Sequence, residues 1–235
     1  MHNVTVFSPY DPAQKRALIK NLSLSIYPGQ HLLVTGPNGR GKTSLFKCMY
    51  GQHRPLMEGM IEWPYHQCSP AHGSPSSIPA MFLPQHPLTA PGSLLWQQIA
   101  YPGVERPPDA TLQNLVLSVG LADLLRRIHG NFDHSESDWS AVLSAGELQR
   151  LVFARLLLRK PKYAFLDEPA SAMSDEEAEI LFQLLQESGT TCLTISQDTP
   201  TMRRLHSFHL KLTPEGGHQL LMRNDDDDFP QNSLP

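Results

Sequence analysis

GPNGRGKT, at residues 36–43, follows the apolar run HLLVT (residues 31–35) and precedes a helical pattern over residues 43–50. The spacing G-x-x-x-x-G-K-[ST] between a strand and a helix is typical of a phosphate-binding loop, or P-loop. Its glycines allow the backbone to curl so that successive N–H groups point at phosphate oxygens, and the helix start adds its positive dipole end. The residues that we predict to bind phosphate are Gly36, Pro37, Asn38, Gly39, Arg40, Gly41, Lys42, Thr43 and Ser44.

Two side chains of this loop and two acids elsewhere predict phosphoryl chemistry. Lys42 supplies a positive charge for the outer phosphates of a nucleotide, and the Thr43 hydroxyl is a suitable Mg²⁺ ligand. Asp167 and Glu168 end the apolar run YAFL at residues 163–166. Such a pair is often only a solvated turn, but beside a P-loop it suits two functions. We expect Asp167 to hold Mg²⁺ through water and Glu168 to act as general base toward the attacking water.

The composition disfavours several other classes of protein. The 235 residues carry a formal net charge of −4, with 18% charged residues, which is unlike a general nucleic-acid binder. No stretch approaches the roughly 20 apolar residues of a membrane-spanning helix, so we expect no direct membrane insertion. Residues 1–30 lack an apolar signal-peptide core. The three cysteines (Cys48, Cys68 and Cys192) are widely spaced and predict reduced thiols of a cytosolic chain.

The order of apolar patterns predicts an α/β fold. Alternation predicts two half-buried strands, near residues 4–6 and 22–26, and a further strand at residues 60–63. Short buried strands and amphipathic helices then alternate. We expect buried strands at residues 31–35, 80–83, 163–166 and 191–195, three helices between residues 93 and 129, helices at residues 145–159 and 175–188, and a hairpin at residues 207–213 and 217–223.

One folding unit accounts for nearly the whole chain. The order implies a P-loop NTPase with a mostly parallel sheet core, an antiparallel β subdomain and a helical subdomain inserted at about residues 88–150. We expect one domain over residues 1–223. Residues 224–235, with the run Asp225–Asp228, then form an acidic, disordered tail.

LSAGE, at residues 143–147, lies just before an amphipathic helix. On its own it predicts a helix N-cap at Ser144, with Glu147 completing a capping box. The segment also resembles the signature motif, usually LSGGQ, of the ATP-binding domain of ABC transporters, with Ser144 and Gly146 at matching positions. The resemblance to this domain extends over residues 3–223.

Three more segments carry the resemblance. FLPQ at residues 82–85 resembles the Q-loop of the family, SAMS at residues 171–174 the D-loop, and TISQ at residues 194–197 the switch. The finer wording, notably HLLVTGPNGRGKTSLFK (residues 31–47) and PKYAFLDE (residues 161–168), is similar to the peroxisomal fatty-acyl branch, subfamily D, and its bacterial half-transporter relatives. Members of these groups handle different substrates, so the resemblance identifies no cargo.

The resemblance implies ATP and Mg²⁺ as ligands and a head-to-tail dimer as the working unit. In the family each P-loop faces the signature of its partner, so Ser144 and Gly146 would contact the γ-phosphate held by a second copy, most simply in a homodimer. Gln85 would contact Mg²⁺ and relay the nucleotide state to a transmembrane domain, fused or separate. The implied sites are catalytic Lys42, Glu168 and Gln197, metal-binding Thr43, Gln85 and Asp167, and Tyr10 stacking on adenine.

The implied activity is ATP hydrolysis that powers substrate transport at the cytoplasmic face of a membrane, such as a bacterial inner membrane, with no nucleic acid involved. Three residues depart from the family pattern: Gln197 replaces the switch histidine, Ala145 a signature glycine and Glu147 a glutamine. Because glutamine cannot carry the charge of an imidazolium, we expect ATP binding and dimer formation with slow hydrolysis. Two alternatives stay open: an ATP-gated regulatory module, and a soluble ABC-type ATPase acting on DNA or ribosomes, which the acidic balance disfavours.

Overall fold

Strands and helices alternate along the chain, of which the computed structural model describes residues 1–9, 16–52, 56–62 and 79–223. The strands are β1 (His2–Phe7), β2 (Ala17–Leu22), β3 (Leu32–Thr35), β4 (Met57–Met60), β5 (Ala80–Leu83), β6 (Tyr163–Asp167), β7 (Thr191–Ile195), β8 (Phe208–Leu212) and β9 (His218–Met222). The helices are α1 (Lys42–Tyr50), α2 (Leu95–Ala100), α3 (Asp109–Ser118), α4 (Ala122–Arg127), α5 (Trp139–Val142), α6 (Ala145–Arg159), α7 (Asp175–Glu187) and α8 (Pro200–Arg204). This arrangement confirms the predicted α/β fold.

The larger sheet places the P-loop near its centre. Its strand order is β5-β6-β7-β3-β8-β9, in which β5 to β8 run parallel and β9 returns antiparallel to β8. All five residues of β6 and of β7 are buried, as expected for a parallel sheet covered on both faces. The carboxyl ends of β3, β6 and β7 therefore meet at one edge, where open α/β sheets bind their ligands.

The smaller sheet is antiparallel, in the order β2-β1-β4, and corrects two sequence predictions. The strand predicted near residues 22–26 lies earlier, because β2 pairs with β1 from Ala17 to Leu22. Leu24 is buried in the core beneath the sheet, so its apolar character reflects packing outside the strand. The strand predicted at residues 60–63 lies at Met57–Met60, and its last predicted residue is outside the described residues.

Helices α2 to α6 lie between β5 and β6 in the chain, and α6 runs to Arg159, past the end predicted for the helical insertion at about residue 150. The longest of them, α6, contacts α2, α3 and α7. The short helices α5 and α8 were not predicted, because four or five residues are too few to show a helical period. Their N-cap residues could have indicated where these helices begin. Asp138 accepts a hydrogen bond from the Ser140 N–H, and Thr199 accepts one from the Met202 N–H.

Alternate residues of β3 point to opposite faces of the sheet and into two separate cores. Leu32 and Val34 belong to a core with Phe46 of α1 and with the antiparallel sheet. Leu33 belongs to a core built from α6, α7 and the other helices of the insertion. The sheet is thus the middle layer, with α1 on one face and α6 and α7 on the other.

A buried arginine joins α6 to the segment after β5. Arg155 donates from Nε to the Gln98 carbonyl (2.5 Å), from Nη2 to Gln98 Oε1 (2.8 Å) and from Nη1 to the Leu88 carbonyl (3.0 Å). Burial lowers the pKa of Arg155 to about 10, so its guanidinium stays charged at neutral pH. This charge satisfies three acceptors at once, which ties three segments of the chain together.

Two predictions, on membrane-spanning helices and on the C-terminal tail, concern residues that the structure describes only in part. Within residues 1–9, 16–52, 56–62 and 79–223, no helix has the length and apolar character needed to cross a bilayer. The tail at residues 224–235 lies beyond the described residues. The domain boundary at residue 223 remains a prediction.

Phe165 tests the core beneath α1. Its ring is fully buried on β6 and lies edge-on to Phe46, with ring centroids 5.4 Å apart. We expect Phe165→Ala to lower the free energy of unfolding by about 3–5 kcal/mol, because it removes buried area and leaves a cavity. Chemical denaturation measures the change, and Ile180→Ala on α7, at a side chain 55% exposed, should change it by less than about 0.5 kcal/mol. Equal losses in the two variants would contradict this layering.

Candidate nucleotide-binding site

A cleft of about 1330 Å³ opens at the carboxyl edge of the parallel sheet. This volume exceeds the roughly 300–1,000 Å³ of common small-molecule pockets, so a nucleotide fits with room for water. The cleft brings together nearly all residues that the sequence predicted for one nucleotide site. Its lining includes Gly36, Pro37, Asn38, Gly39, Arg40, Gly41, Lys42, Thr43, Ser44, Gln85, Asp167, Glu168 and Gln197.

The start of α1 is open toward an anion. Gly41 is its N-cap in the left-handed region (φ 86°), and no side chain caps the helix. The first turn also contains no acidic residue. The first N–H groups of a helix lack partners within the helix and carry its positive dipole end, so a phosphate fits this position.

The Lys42 side chain folds back onto the P-loop and bonds to its backbone. Its ammonium donates to the Gly36 carbonyl at 2.7 Å and to the Pro37 carbonyl at 3.1 Å. Burial lowers the pKa of Lys42, while the nearby Glu168 and Asp167 act in the opposite direction. The two hydrogen bonds hold the partly desolvated ammonium at the loop, where a phosphate oxygen can replace a carbonyl as its acceptor.

Thr43 and Asp167 form the oxygen cluster expected of a magnesium site. The Thr43 hydroxyl donates to Asp167 Oδ2 at 2.7 Å, and the carboxylate is almost fully buried. Burial raises the pKa of Asp167, although the Thr43 hydrogen bond opposes the rise. Hydroxyl and carboxylate oxygens suit Mg²⁺, which completes its shell with water and phosphate oxygens. Among the described residues, no three His, Cys, Asp or Glu side chains form a metal cluster.

Glu168 is held beside this cluster by Gln85. The Gln85 amide donates to Glu168 Oε2 at 2.7 Å, across two adjacent strand ends. The Glu168 backbone has φ 49°, a conformation uncommon for residues other than glycine. Its N–H donates to the Ile195 carbonyl at 2.9 Å, which keeps this turn in place. Such strain at a strand end is often associated with functional residues.

A charged cluster next to Gln197 was missed by the sequence analysis. The Asp198 carboxylate accepts from Arg203 Nε at 2.5 Å and from Lys211 Nζ at 3.1 Å, and Asp198 and Lys211 both line the cleft. Although partial burial favours protonation, these contacts hold the pKa of Asp198 below its usual range. No local sequence pattern indicated this cluster, because it depends on the pairing of β8 with β3, which places Lys211 beside Thr35.

Neither of the two buried histidines near the cleft, His206 and His209, supplies the charge that Gln197 lacks. His209 is fully buried, with Nε2 2.8 Å from the Thr35 hydroxyl, and it does not line the cleft. Burial lowers the pKa of His209 to about 4, so the ring is neutral at neutral pH. His206 is likewise fully buried, and burial lowers its pKa to about 3. At residue 197 the cleft is therefore lined by an amide rather than an imidazolium.

The signature residues lie apart from this cleft. Ser144 is the N-cap of α6, with its hydroxyl accepting from the Glu147 N–H at 3.2 Å and its own N–H donating to Glu147 Oε2 at 2.8 Å. The predicted capping box is thus confirmed. Neither Ser144 nor Gly146 lines the cleft that contains Lys42. Tyr10, predicted to stack on adenine, lies outside the described residues.

Comparison with known proteins agrees with these motifs. Residues 19–171 match the family model of ABC transporters. The chain is 36% identical to an uncharacterized ABC transporter ATP-binding protein of Synechocystis, over 94% of this chain and 31% of that protein. It is 36% identical to the lysosomal cobalamin transporter ABCD4 of Mus musculus, over 89% of this chain and 34% of that protein. It is 35% identical to ABC transporter D family member 1 of Arabidopsis thaliana, over 89% of this chain and 15% of that protein. The chain thus spans about a third or less of each of these relatives.

Gly36 and Gly39 make a matched pair for testing the shape of the loop. A Cβ at Gly36 (φ 142°) would lie 2.7 Å from the Leu212 carbonyl oxygen, so the loop would have to move away from β8. A Cβ at Gly39 (φ 75°) would meet no atom within 4 Å. We expect Gly36→Ala to lower the free energy of unfolding by roughly 3 kcal/mol, and Gly39→Ala by roughly 1 kcal/mol. Chemical denaturation compares the two, and a larger loss for Gly39→Ala would refute this close approach.

Proposed function

Because this chain belongs to the ABC transporter family, in which it is an ATP-binding domain, we propose that it binds Mg²⁺-ATP in the cleft and hydrolyses it to drive transport by a transmembrane domain. One observation carries the proposal: the uncapped start of α1, the Lys42 ammonium and the Thr43–Asp167 pair meet in one cleft. A nucleoside triphosphate with Mg²⁺ requires such an anion site beside oxygen ligands for a hard cation.

The loop residues bind and orient the triphosphate. Lys42 exchanges its bonds to the Gly36 and Pro37 carbonyls for phosphate oxygens, which are stronger acceptors because they are charged. Thr43 would hold Mg²⁺ directly, Asp167 through water, and Gln85 through its amide oxygen. The cation, when bound, neutralises negative charge on the outer phosphates.

Glu168 acts on the attacking water. Its carboxylate accepts the water proton as a general base, while the bond from the water oxygen to the γ-phosphorus forms and the bond from that phosphorus to the oxygen of the leaving ADP breaks. The Gln85 amide bonded to Glu168 Oε2 keeps this carboxylate near the magnesium ligands. Gln85 therefore connects the base with the segment that leads into the helical insertion.

Gln197 makes ATP hydrolysis slower than it would be with a histidine at this position. Its amide can donate a hydrogen bond to the γ-phosphate, but it adds no positive charge. Loss of one charge-stabilising group slows a reaction by roughly 10²- to 10³-fold. The nearby cations are engaged elsewhere, since both Arg203 and Lys211 contact Asp198.

A second copy of the chain completes each site in the proposed assembly. Ser144 and Gly146, which stand apart from the cleft of their own chain, would approach the γ-phosphate in the cleft of the partner. The first turn of α6 suits this function because its N–H groups lie at the positive end of the helix dipole. The working unit is then a head-to-tail homodimer with two nucleotides at its interface.

The proposed dimer works with a transmembrane domain, either fused to this chain or separate from it. This part of the proposal is supported by the family and by the greater length of the relatives. The dimer would lie at the cytoplasmic face of a membrane, such as a bacterial inner membrane. The cargo would be bound by the transmembrane domain, outside this fold.

A second candidate function follows from Gln197 specifically. If this amide reduces turnover nearly to zero, ATP binding would act as a gate, and the chain would serve as a regulatory module beside a more active partner. The two candidates share the same nucleotide site and differ in turnover and in the partner, which is a second copy in the first candidate and a more active chain in the second.

Lys42→Ala tests nucleotide binding directly. We expect it to weaken the binding of Mg²⁺-ATP roughly 100-fold, because the phosphates lose a charged partner in a partly buried site. Isothermal titration calorimetry measures the affinity, and Lys20→Ala, at an exposed residue of β2, is the charge-matched control with unchanged binding.

In contrast to Lys42→Ala, Glu168→Gln should block hydrolysis without weakening ATP binding. It should retain ATP binding and accumulate as an ATP-dependent dimer in sedimentation velocity, because the base is lost while the phosphate ligands remain. The proposed function fails if the unaltered chain takes up no nucleotide in the presence of Mg²⁺.

Gln197→His tests the assignment of slow turnover. We expect the steady-state rate of ATP hydrolysis to rise roughly ten- to a thousandfold, because the imidazole adds a group able to carry positive charge at the developing phosphoryl charge. Phosphate release measures this rate. The control Gln113→His makes the same exchange at an exposed position on α3 and should leave it unchanged. A Gln197→His rate no higher than that of the unaltered chain would remove Gln197 as the cause.

A further inference from the structure

Gln149 is a buried amide on α6 that joins this helix to the D-loop. The side chain is only 5% exposed. Its Oε1 accepts from the Ala172 N–H at 3.0 Å, and its Nε2 donates to the Ser171 hydroxyl at 2.9 Å. Nε2 also lies 3.5 Å from the backbone carbonyl of Glu168. One side chain therefore contacts three points of the segment that begins at Glu168.

Gly146 brings the backbones of the same two segments together. A Cβ at this position would lie 3.0 Å from the Ala172 carbonyl oxygen, so glycine allows a closer approach than other residues do. Gly146 and Gln149 are three residues apart on α6 and share one face of the helix. The first turns of α6 thus rest against the D-loop through a glycine and an amide together.

The two joined segments serve different nucleotides in the proposed dimer. Glu168 lies in the cleft of its own chain. Ser144 and Gly146 would contact the nucleotide held by the partner. The Gln149 contacts are consequently a physical connection, within one chain, between the two ATP sites of the dimer.

We propose that Gln149 is a positioning residue that couples the two ATP sites, by moving the first turns of α6 together with the segment after Glu168. The inference rests on the proposed function, because it needs a nucleotide in the cleft. Nucleotide binding that shifts Glu168 shifts Ser171 and Ala172 with it, and the amide transmits this shift to Ser144 and Gly146. An apolar side chain of similar size would fill the same space. It would not transmit this shift, because it forms no hydrogen bonds, which depend on direction.

The coupling predicts a response within a single chain. At a dilution where sedimentation velocity shows monomer, saturating Mg²⁺-ATP should slow amide hydrogen exchange at residues 143–150 roughly fivefold or more, a common size for coupling between sites. Gln149→Met should reduce this response to less than twofold, while the ATP affinity stays within about threefold of the unaltered chain. Hydrogen-exchange mass spectrometry measures the response, and calorimetry the affinity.

The matched control is Gln186→Met on α7. Gln186 donates to the Leu205 carbonyl at 2.8 Å, so this variant also removes an amide hydrogen bond between two segments but leaves the D-loop unaltered. It should retain the full exchange response. Gln149→Glu keeps an acceptor for the Ala172 N–H and should retain part of the response. Should Gln149→Met fail to fold, Ser171→Ala removes the acceptor of Nε2 and should also lower the response.

Two results would overturn the inference while leaving the proposed function intact. One is ATP binding by the unaltered chain without any change of exchange at residues 143–150. The other is a full response in folded Gln149→Met. Absence of ATP binding by the unaltered chain would instead remove the proposed function itself, so the two failures are distinguishable.

Discussion

The parallel register of β6, β7 and β3 is the constraint on which the rest of this structure depends. Thr194 of β7 lies opposite Leu33 on one side and Leu166 on the other, so the three strands end together. The loops that follow them open at the same edge, and the Thr43 hydroxyl can reach Asp167 although 124 residues separate them. A slip of one residue would turn each side chain to the opposite face and would separate this pair.

The cleft is preorganised by hydrogen bonds among its own charged groups. Lys42 contacts backbone carbonyls, Glu168 accepts from Gln85, and Asp198 is held by two cations. Dipoles and charges fixed before the substrate arrives stabilise a developing charge without further reorganisation, which is the largest source of rate enhancement in many enzymes. Behind the cleft His209 is buried and neutral, whereas the Gln197 side chain is part of the cleft lining.

Local sequence patterns predicted the parts of this site that depend on local geometry. The loop at residues 36–43 was identifiable because its tight turn requires glycines at a fixed spacing. The acids Asp167 and Glu168 were identifiable because they follow an apolar run in a chain that also carries such a loop. The position of β2 could not be identified in this way, because buried residues such as Leu24 follow the same alternation without pairing in a strand.

Contacts between distant segments were beyond the reach of the sequence for a different reason. The approach of Lys211 to Asp198 depends on β8 lying beside β3, and that of Gln149 to Ala172 on the docking of α6. A polar residue in a helix pattern does not show which backbone its amide will meet. Strand order and helix docking must be known before such contacts can be predicted.

Arg155 has a mechanical consequence for the whole insertion. Its guanidinium bonds to Gln98 in α2 and to the Leu88 carbonyl, so α2, α6 and the chain near Leu88 are linked by three directional contacts. A tilt of the helices relative to the sheet cannot be taken up inside that linked body. It must be taken up where this body joins the sheet: in the residues between Leu83, where β5 ends, and Leu88, and in those between Arg159, where α6 ends, and Tyr163, where β6 begins. Gln85 lies in the first of these connections, so a rotation that moves this segment strains the hydrogen bond that Gln85 donates to Glu168.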